Sequence, residues 1–170
     1  MPTVWWEWLI FGGLILVMAV FMEGVAWFTH KFIMHGFLWI LHEDHHRPRK
    51  GVFEKNDLFA VFFAILSSLS VYFGLAYDLY WLTGMGLGMT LYGIGYVVFH
   101  DMIFHKRIKV PTPKFAYMQR IINAHRYHHS SGSRKEDNRA FGFLWAPARY
   151  KEWPPKGMPP PKPKQDRAGA

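Results

Sequence analysis

Lysine and arginine are absent from two long stretches of this chain, residues 1–30 and 56–105, although it carries 20 of them elsewhere. Three apolar runs fill those stretches: about Val4 to Phe28, Leu58 to Tyr77 and Leu79 to Phe99. A bilayer core of ~30 Å is crossed by about 20 helical residues, and each run is long enough. The expected fold is therefore an all-α integral membrane bundle of about three long transmembrane helices. The second and third runs carry no charge and are separated by little more than Asp78, which predicts a tight helical hairpin. Trp5, Trp6 and Trp8 at the start of the first run suit a membrane–water interface. That run has no basic leader and no small-residue cleavage site after it, so it is expected to remain as a span.

Counting the spans gives a topology. Residues 29–57 and 100–170 fall on the same side, and every lysine and arginine falls with them. The positive-inside rule makes that side cytoplasmic. A four-span variant, with 24–41 as a separate helix, would place Lys31 and two histidines deep in lipid, which is costly. The net charge of +8 does not point to nucleic acid, because a nucleic-acid face has no need of such long charge-free gaps. Residues 1–152 are expected to form one membrane domain. From Trp153 onward the Pro- and Lys-rich sequence predicts a disordered tail, because it can neither continue a helix nor fill a core.

There are no cysteines, which excludes disulfides, thiolate-ligated haem, iron–sulfur clusters and zinc fingers as chemistry of this chain. The ten histidines fall in a repeated pattern. His30 and His35 form an H-x4-H pair, and His42, His45 and His46 an H-x2-H-H triplet. His100 and His105, then His125, His128 and His129, repeat both. By the topology above, all ten gather at one end of the bundle. On a helix each triplet stands at i, i+3 and i+4 on one face, so it can serve one metal or bridge toward a second. The H-x4-H pairs sit about 140° apart on an ideal α-helix and need a bend to share a face. Five histidines per half suggest two metals in nitrogen-rich coordination. Imidazole suits zinc, copper, iron and nickel alike, so spacing alone does not choose the metal.

His42-Glu43-Asp44-His45-His46 also fits H-E-x-x-H, the zinc protease pattern, but the matching cluster at 125–129 has no glutamate. A metal transporter would spread ligands along the membrane path. A bis-histidine cytochrome would need histidines within facing spans, and the second span has none.

The segments HKFIMHG (30–36), HEDHHRPRKGVFEKNDLFAV (42–61), VFHDMIFHKR (98–107), AHRYHH (124–129) and FGFLWAP (141–147) together resemble the bacterial carotenoid 3-hydroxylases. These belong to the wider fatty acid hydroxylase and sterol desaturase superfamily. The histidine pattern carries the superfamily likeness, and HHRPRKGxFExNDLFA carries the carotenoid branch. The resemblance implies hydroxylation at C3 of a β-ionone ring, from β-carotene through β-cryptoxanthin to zeaxanthin. It further implies two irons held by the ten histidines, O2 as co-substrate and electrons from a reduced ferredoxin-type donor. A carotenoid ketolase, a fatty acid hydroxylase or a desaturase shares the histidines and differs in the pocket. The chain departs from the family pattern at 133–140 (SRKEDNRA), which bears on substrate contacts.

Four polar residues are candidates to orient the ligands. Asp101 and Asp44 lie next to His100 and His45 and are placed to accept a ring N–H. Glu23 lies seven residues before His30 within an apolar run, and intramembrane carboxylates are functional candidates. Asn123 lies just before the last triplet. Gly84, Gly88 and Gly95 share one side of the third span, a pattern of close helix packing. The basic residues Arg47, Arg49, Lys50, Lys106, Arg107 and Lys109 suit anionic lipid, and equally an acidic electron donor.

Overall fold

The computed structural model describes residues 1–47, 51, 53–130, 140–155 and 157–158. The described residues contain helices and no strands. Helix α1 (Trp5–Phe28) runs without interruption into a π-helical stretch, Thr29–Phe37. A bend at Gly36 (φ −94°, ψ −127°) then turns the chain into a single-turn helix α2 (Trp39–His42) and a 3-10 turn, Glu43–His46. Helix α3 (Asp57–Ala76) and helix α4 (Tyr80–Tyr96) form the hairpin, and α4 continues as a second π-helical stretch, Val97–Phe104. Helix α5 (Ala116–Ser130) and a 3-10 turn, Ala148–Lys151, complete the chain.

Three helices are long and apolar enough to cross a membrane: Trp5–Phe37, Asp57–Ala76 and Tyr80–Phe104. The first and third extend beyond the expected limits because the π-helical stretches prolong them without a break. No fourth span forms among the described residues; the 29–37 segment lengthens the first one instead. The hairpin turns at Asp78 (φ 55°), a left-handed conformation that aspartate tolerates better than most residues. The Met1 amino group lies 3.1 Å from the Asp78 carboxylate, so the N-terminus and the hairpin turn share one end, as the counting required.

Helix α4 packs against both others by way of glycines. A Cβ on Gly88 would come within 2.6 Å of the Ile15 carbonyl oxygen, and one on Gly86 within 2.9 Å of the Val71 nitrogen. Gly84 meets Phe11 and Leu14 of α1. Backbones can approach this closely only where side chains are missing, which is how small residues hold membrane helices together. Gly95 does not share this role, since a Cβ there meets nothing within 4 Å.

At the other end of the bundle α5 closes a second core. Ile103, Met118, Ile121, Ile122, Tyr127, Ala146 and Tyr150 bury one another there. The apolar face of α5 follows the i, i+3, i+4 rule, while Arg126 points outward over Trp153. Trp153 lies against Tyr127, and Pro155 is fully buried. Packing thus continues as far as Pro155. Residues 159–170 of the expected tail, and 133–139 of the departing segment, lie outside the described residues.

Candidate metal centre

The π-helical stretches explain how the H-x4-H pairs share a face. In a π-helix the backbone bonds run from i+5 to i, which sets residue i+5 almost above residue i. The His105 N–H donates to the His100 carbonyl at 3.0 Å and the Leu38 N–H to the Ile33 carbonyl at 3.0 Å, both with that register. The rings of His30 and His35 come to 5.0 Å, and those of His100 and His105 to 4.6 Å. The bend expected for these pairs is thus replaced by a change of helical pitch.

Two groups of ligand atoms result. In the first, nitrogens of His30, His35, His42, His46 and His128 all lie within 4.8 Å of one another. In the second, those of His45, His105, His125 and His129 do the same. His100, the tenth histidine, joins the second group through His45, Nε2 to Nε2 at 3.1 Å. Each triplet is divided between the groups. His42 and His46 face one and His45 the other, while His125 and His129 oppose His128. The division is the same in the continuous helix α5 and across the α-to-3-10 change at 42–46: the i and i+4 histidines face one group and the i+3 histidine the other.

The Nδ1 atoms are held from behind. His30 donates to the Phe141 carbonyl at 2.8 Å and His42 to Asn56 Oδ1 at 2.7 Å. His45 meets Glu54 Oε2 at 2.8 Å and His100 meets Asp101 Oδ1 at 2.9 Å. Each of these partners is an acceptor, so the proton of a neutral ring sits on Nδ1 and the Nε2 lone pair is bare. Two such pairs of bare nitrogens face each other at 3.1 Å, His30 with His42 and His45 with His100. Lone pairs this close repel unless a cation lies between them. Two nitrogens each ~2.1 Å from one ion, at right angles, are ~3.0 Å apart. His129 Nε2 is also buried with no hydrogen-bond partner among the described residues. The donor set therefore fits two metal ions, one in each group.

Burial comes first, and then the neighbouring imidazoles, in holding His42, His45, His46, His125, His128 and His129 below the usual histidine range. Neutral rings are what a metal needs, since a protonated imidazole has no lone pair to give.

The four supporting residues expected from sequence part ways here. Asp101 reaches His100. Asp44 does not reach His45: its carboxylate accepts the Lys55 backbone N–H at 2.7 Å, and Glu54 takes the place beside His45. Asn123 donates to the Tyr150 carbonyl at 3.1 Å and so holds the cap, not a ligand. Among the described residues Glu23 makes no hydrogen bond to a histidine. Its carboxyl oxygens accept the Tyr92 hydroxyl at 2.8 Å and the Leu144 and Trp145 N–H groups at 2.9 and 3.3 Å. It thereby ties the 140–147 loop to the bundle, and that loop supplies the carbonyl that orients His30. Sequence reasoning missed Glu54 and Asn56, although both lie in the FEKND segment that carried the family likeness. Arg107 was read only as a surface cation. It donates to Glu54 at 2.7 Å and pairs with Asp57 at 2.8 Å and Asp101 at 3.7 Å. Glu43, the glutamate of the H-E-x-x-H match, pairs outward with Arg47, so the protease geometry is not built.

A cavity of about 620 Å³ ends on His30, His42, His100 and His125. Its walls are nearly all apolar, including Met22, Phe59, Phe63, Met89, Phe141 and Phe143. Val61, Ile94 and Val97 also line it and are exposed within their spans, so it opens sideways toward lipid. The volume lies within the ordinary range of ligand sites.

These features define a class: an all-helical membrane protein with a buried histidine cluster able to bind metal and an apolar cavity leading to it. The fatty acid hydroxylase family model matches residues 15–147, and the chain belongs to that family. It is 44% identical over 142 residues to a beta-carotene hydroxylase of Pseudescherichia vulneris, covering 81% of this chain and 78% of the relative. It is also 44% identical over 135 residues to the beta-carotene hydroxylase of Pantoea ananas, covering 79% and 76%. The beta-carotene hydroxylase of Paracoccus sp. (strain PC1) is 37% identical over 139 residues, covering 79% and 83%. No solved structure matches the chain.

Proposed function

We propose that this chain hydroxylates C3 of a carotenoid β-ionone ring, taking β-carotene through β-cryptoxanthin to zeaxanthin. One observation carries the reading: an apolar cavity opening toward lipid ends on the histidines, in a chain 44% identical to beta-carotene hydroxylases. The reading assigns all ten histidines to two irons, O2 as co-substrate, a ferredoxin-type electron donor and a catalytic end on the cytoplasmic side. Bound iron would supply the activation of O2 that no side chain here can perform.

The chain's own residues do the rest. The cavity walls, largely apolar apart from Ser67, Ser68 and Thr90, take a ring from the bilayer and lead it to the histidine end. Phe141 lies 5.4 Å from each of His30, His35 and His128 and separates that end from the aromatic wall. Tyr96 stacks on His100 at 4.4 Å and 20°, fixing the ring plane at the cavity floor. Asn56, Glu54, Asp101 and the Phe141 carbonyl hold the Nδ1 protons in place.

The test is expression in a β-carotene-producing bacterium with pigment analysis and a ferredoxin source. Zeaxanthin should accumulate. Unchanged β-carotene with the protein inserted would refute the proposal, and hydroxylated fatty acids in its place would indicate the wider family activity. His45→Ala and His128→Ala, one from each ligand group, should each abolish hydroxylation with insertion intact.

A further inference from the structure

The four histidines whose Nδ1 partners are described differ between the two groups. His30 and His42, in the first group, lean on neutral oxygens, the Phe141 carbonyl and the Asn56 amide. His45 and His100, of the second, lean on carboxylates, Glu54 and Asp101. A carboxylate behind the Nδ1 proton pulls it outward and makes Nε2 a stronger donor, whereas an amide or peptide oxygen does so far less.

The charges nearby reinforce the difference. Glu54, Asp57 and Asp101 all reach the guanidinium of Arg107, so three carboxylates gather behind the second group. Arg107 holds Glu54 and Asp101 on one cation and so fixes the aim of both. Among the described residues, Glu43 pairs with Arg47, the Asp44 carboxylate accepts the Lys55 N–H, and Glu23 accepts from Tyr92 and the 140–147 loop, so none of these three carboxylates is hydrogen-bonded to His30 or His42.

We infer that the two metal positions are unequal, with the one framed by His45, His100, His105, His125 and His129 binding a divalent ion more tightly and filling first. Glu54 and Asp101 are the positioning residues that create the difference. The inference rests on the two-metal reading above and adds an order of loading to it.

The test is an anaerobic titration of the metal-free, detergent-solubilised full chain with ferrous iron against a competing chelator. Two equivalents should bind in steps separated tenfold or more, since outer partners of this kind are worth roughly 10–100-fold in affinity. His129→Ala should leave only the weaker step, and His128→Ala only the tighter one. The double variant Glu54→Gln/Asp101→Asn should weaken the tight step alone by ~10–100-fold. A general loss of folding would lower both steps together, so step-by-step affinity separates the two causes. Asn56→Asp provides the reciprocal case: a carboxylate placed behind His42 should tighten the weaker step. Two equivalents of equal affinity, or a tight step that survives His129→Ala, would overturn the inference while leaving the two-metal reading standing. No bound iron at all would overturn both.

Discussion

Gly142 is where the loop that orients His30 depends on the absence of a single methyl group. A Cβ there would fall well inside 3.0 Å of Glu23 Oε1 and 3.3 Å from its Cδ. In Gly142→Ala the carboxyl group must therefore retreat by most of an ångström or push the loop away. The bonds from Leu144 at 2.9 Å and Trp145 at 3.3 Å have little slack before they exceed hydrogen-bonding distance. Losing two such bonds to a half-buried carboxylate costs roughly 2–3 kcal/mol. The Phe141 carbonyl that receives the His30 proton moves with the loop, so catalysis suffers beyond the loss of stability. The assays are thermal unfolding in detergent and pigment conversion in cells. Glu23→Asp supplies the control, because a shorter side chain withdraws the oxygen from the space a methyl would occupy. The double variant Gly142→Ala/Glu23→Asp should be less damaged than the sum of the singles, a positive coupling in a double-mutant cycle. Gly142→Ala with wild-type stability and turnover, or strictly additive singles, would refute the reasoning.

Gly93 lines the cavity with no atom within 4 Å of where its Cβ would be, so Gly93→Phe should fill substrate space without displacing protein. Carotenoid hydroxylation should fall tenfold or more while iron content stays unchanged, as checked by pigment and metal analysis. Gly88→Ala drives a methyl against Ile15 and Met18 of α1, within 2.6 Å, and overpacking of this kind costs about 1–3 kcal/mol. Its signature should be a lowered unfolding temperature in detergent. Acid should destabilise the metal-free protein. Buried histidines of the cap are held neutral below their unfolded value of ~6.5, so below that pH the unfolded chain binds the extra protons. Stability is then complete above pH ~6.5 and declines as pH falls from there, at up to ~1.4 kcal/mol per pH unit for each such group. Near-ultraviolet circular dichroism between pH 5 and 8 checks this, and a flat profile would contradict it.

The spans and the gathering of ten histidines at one end of the bundle were legible in the sequence. Bilayer thickness and the exclusion of charge act along the chain itself, so counting residues between Lys31, Lys55 and Lys106 carries that information. The family likeness was legible for the same reason, being written in contiguous segments such as HEDHHRPRKGVFEKNDLFAV. What sequence could not decide is which histidine joins which group. That depends on helical pitch, which brings His30 near His35 and His100 near His105 in π-helical turns, and on how the two triplets pack against each other. Nor could adjacency in sequence identify the partners of the rings. Asp44 sits next to His45 yet binds the Lys55 backbone, while Glu54, nine residues on, takes the His45 proton. Glu23 and the 140–147 loop meet across more than a hundred residues. A hydrogen bond is decided within ~3 Å of space and within a narrow cone of direction, and only the folded chain brings residues this distant in sequence within that range.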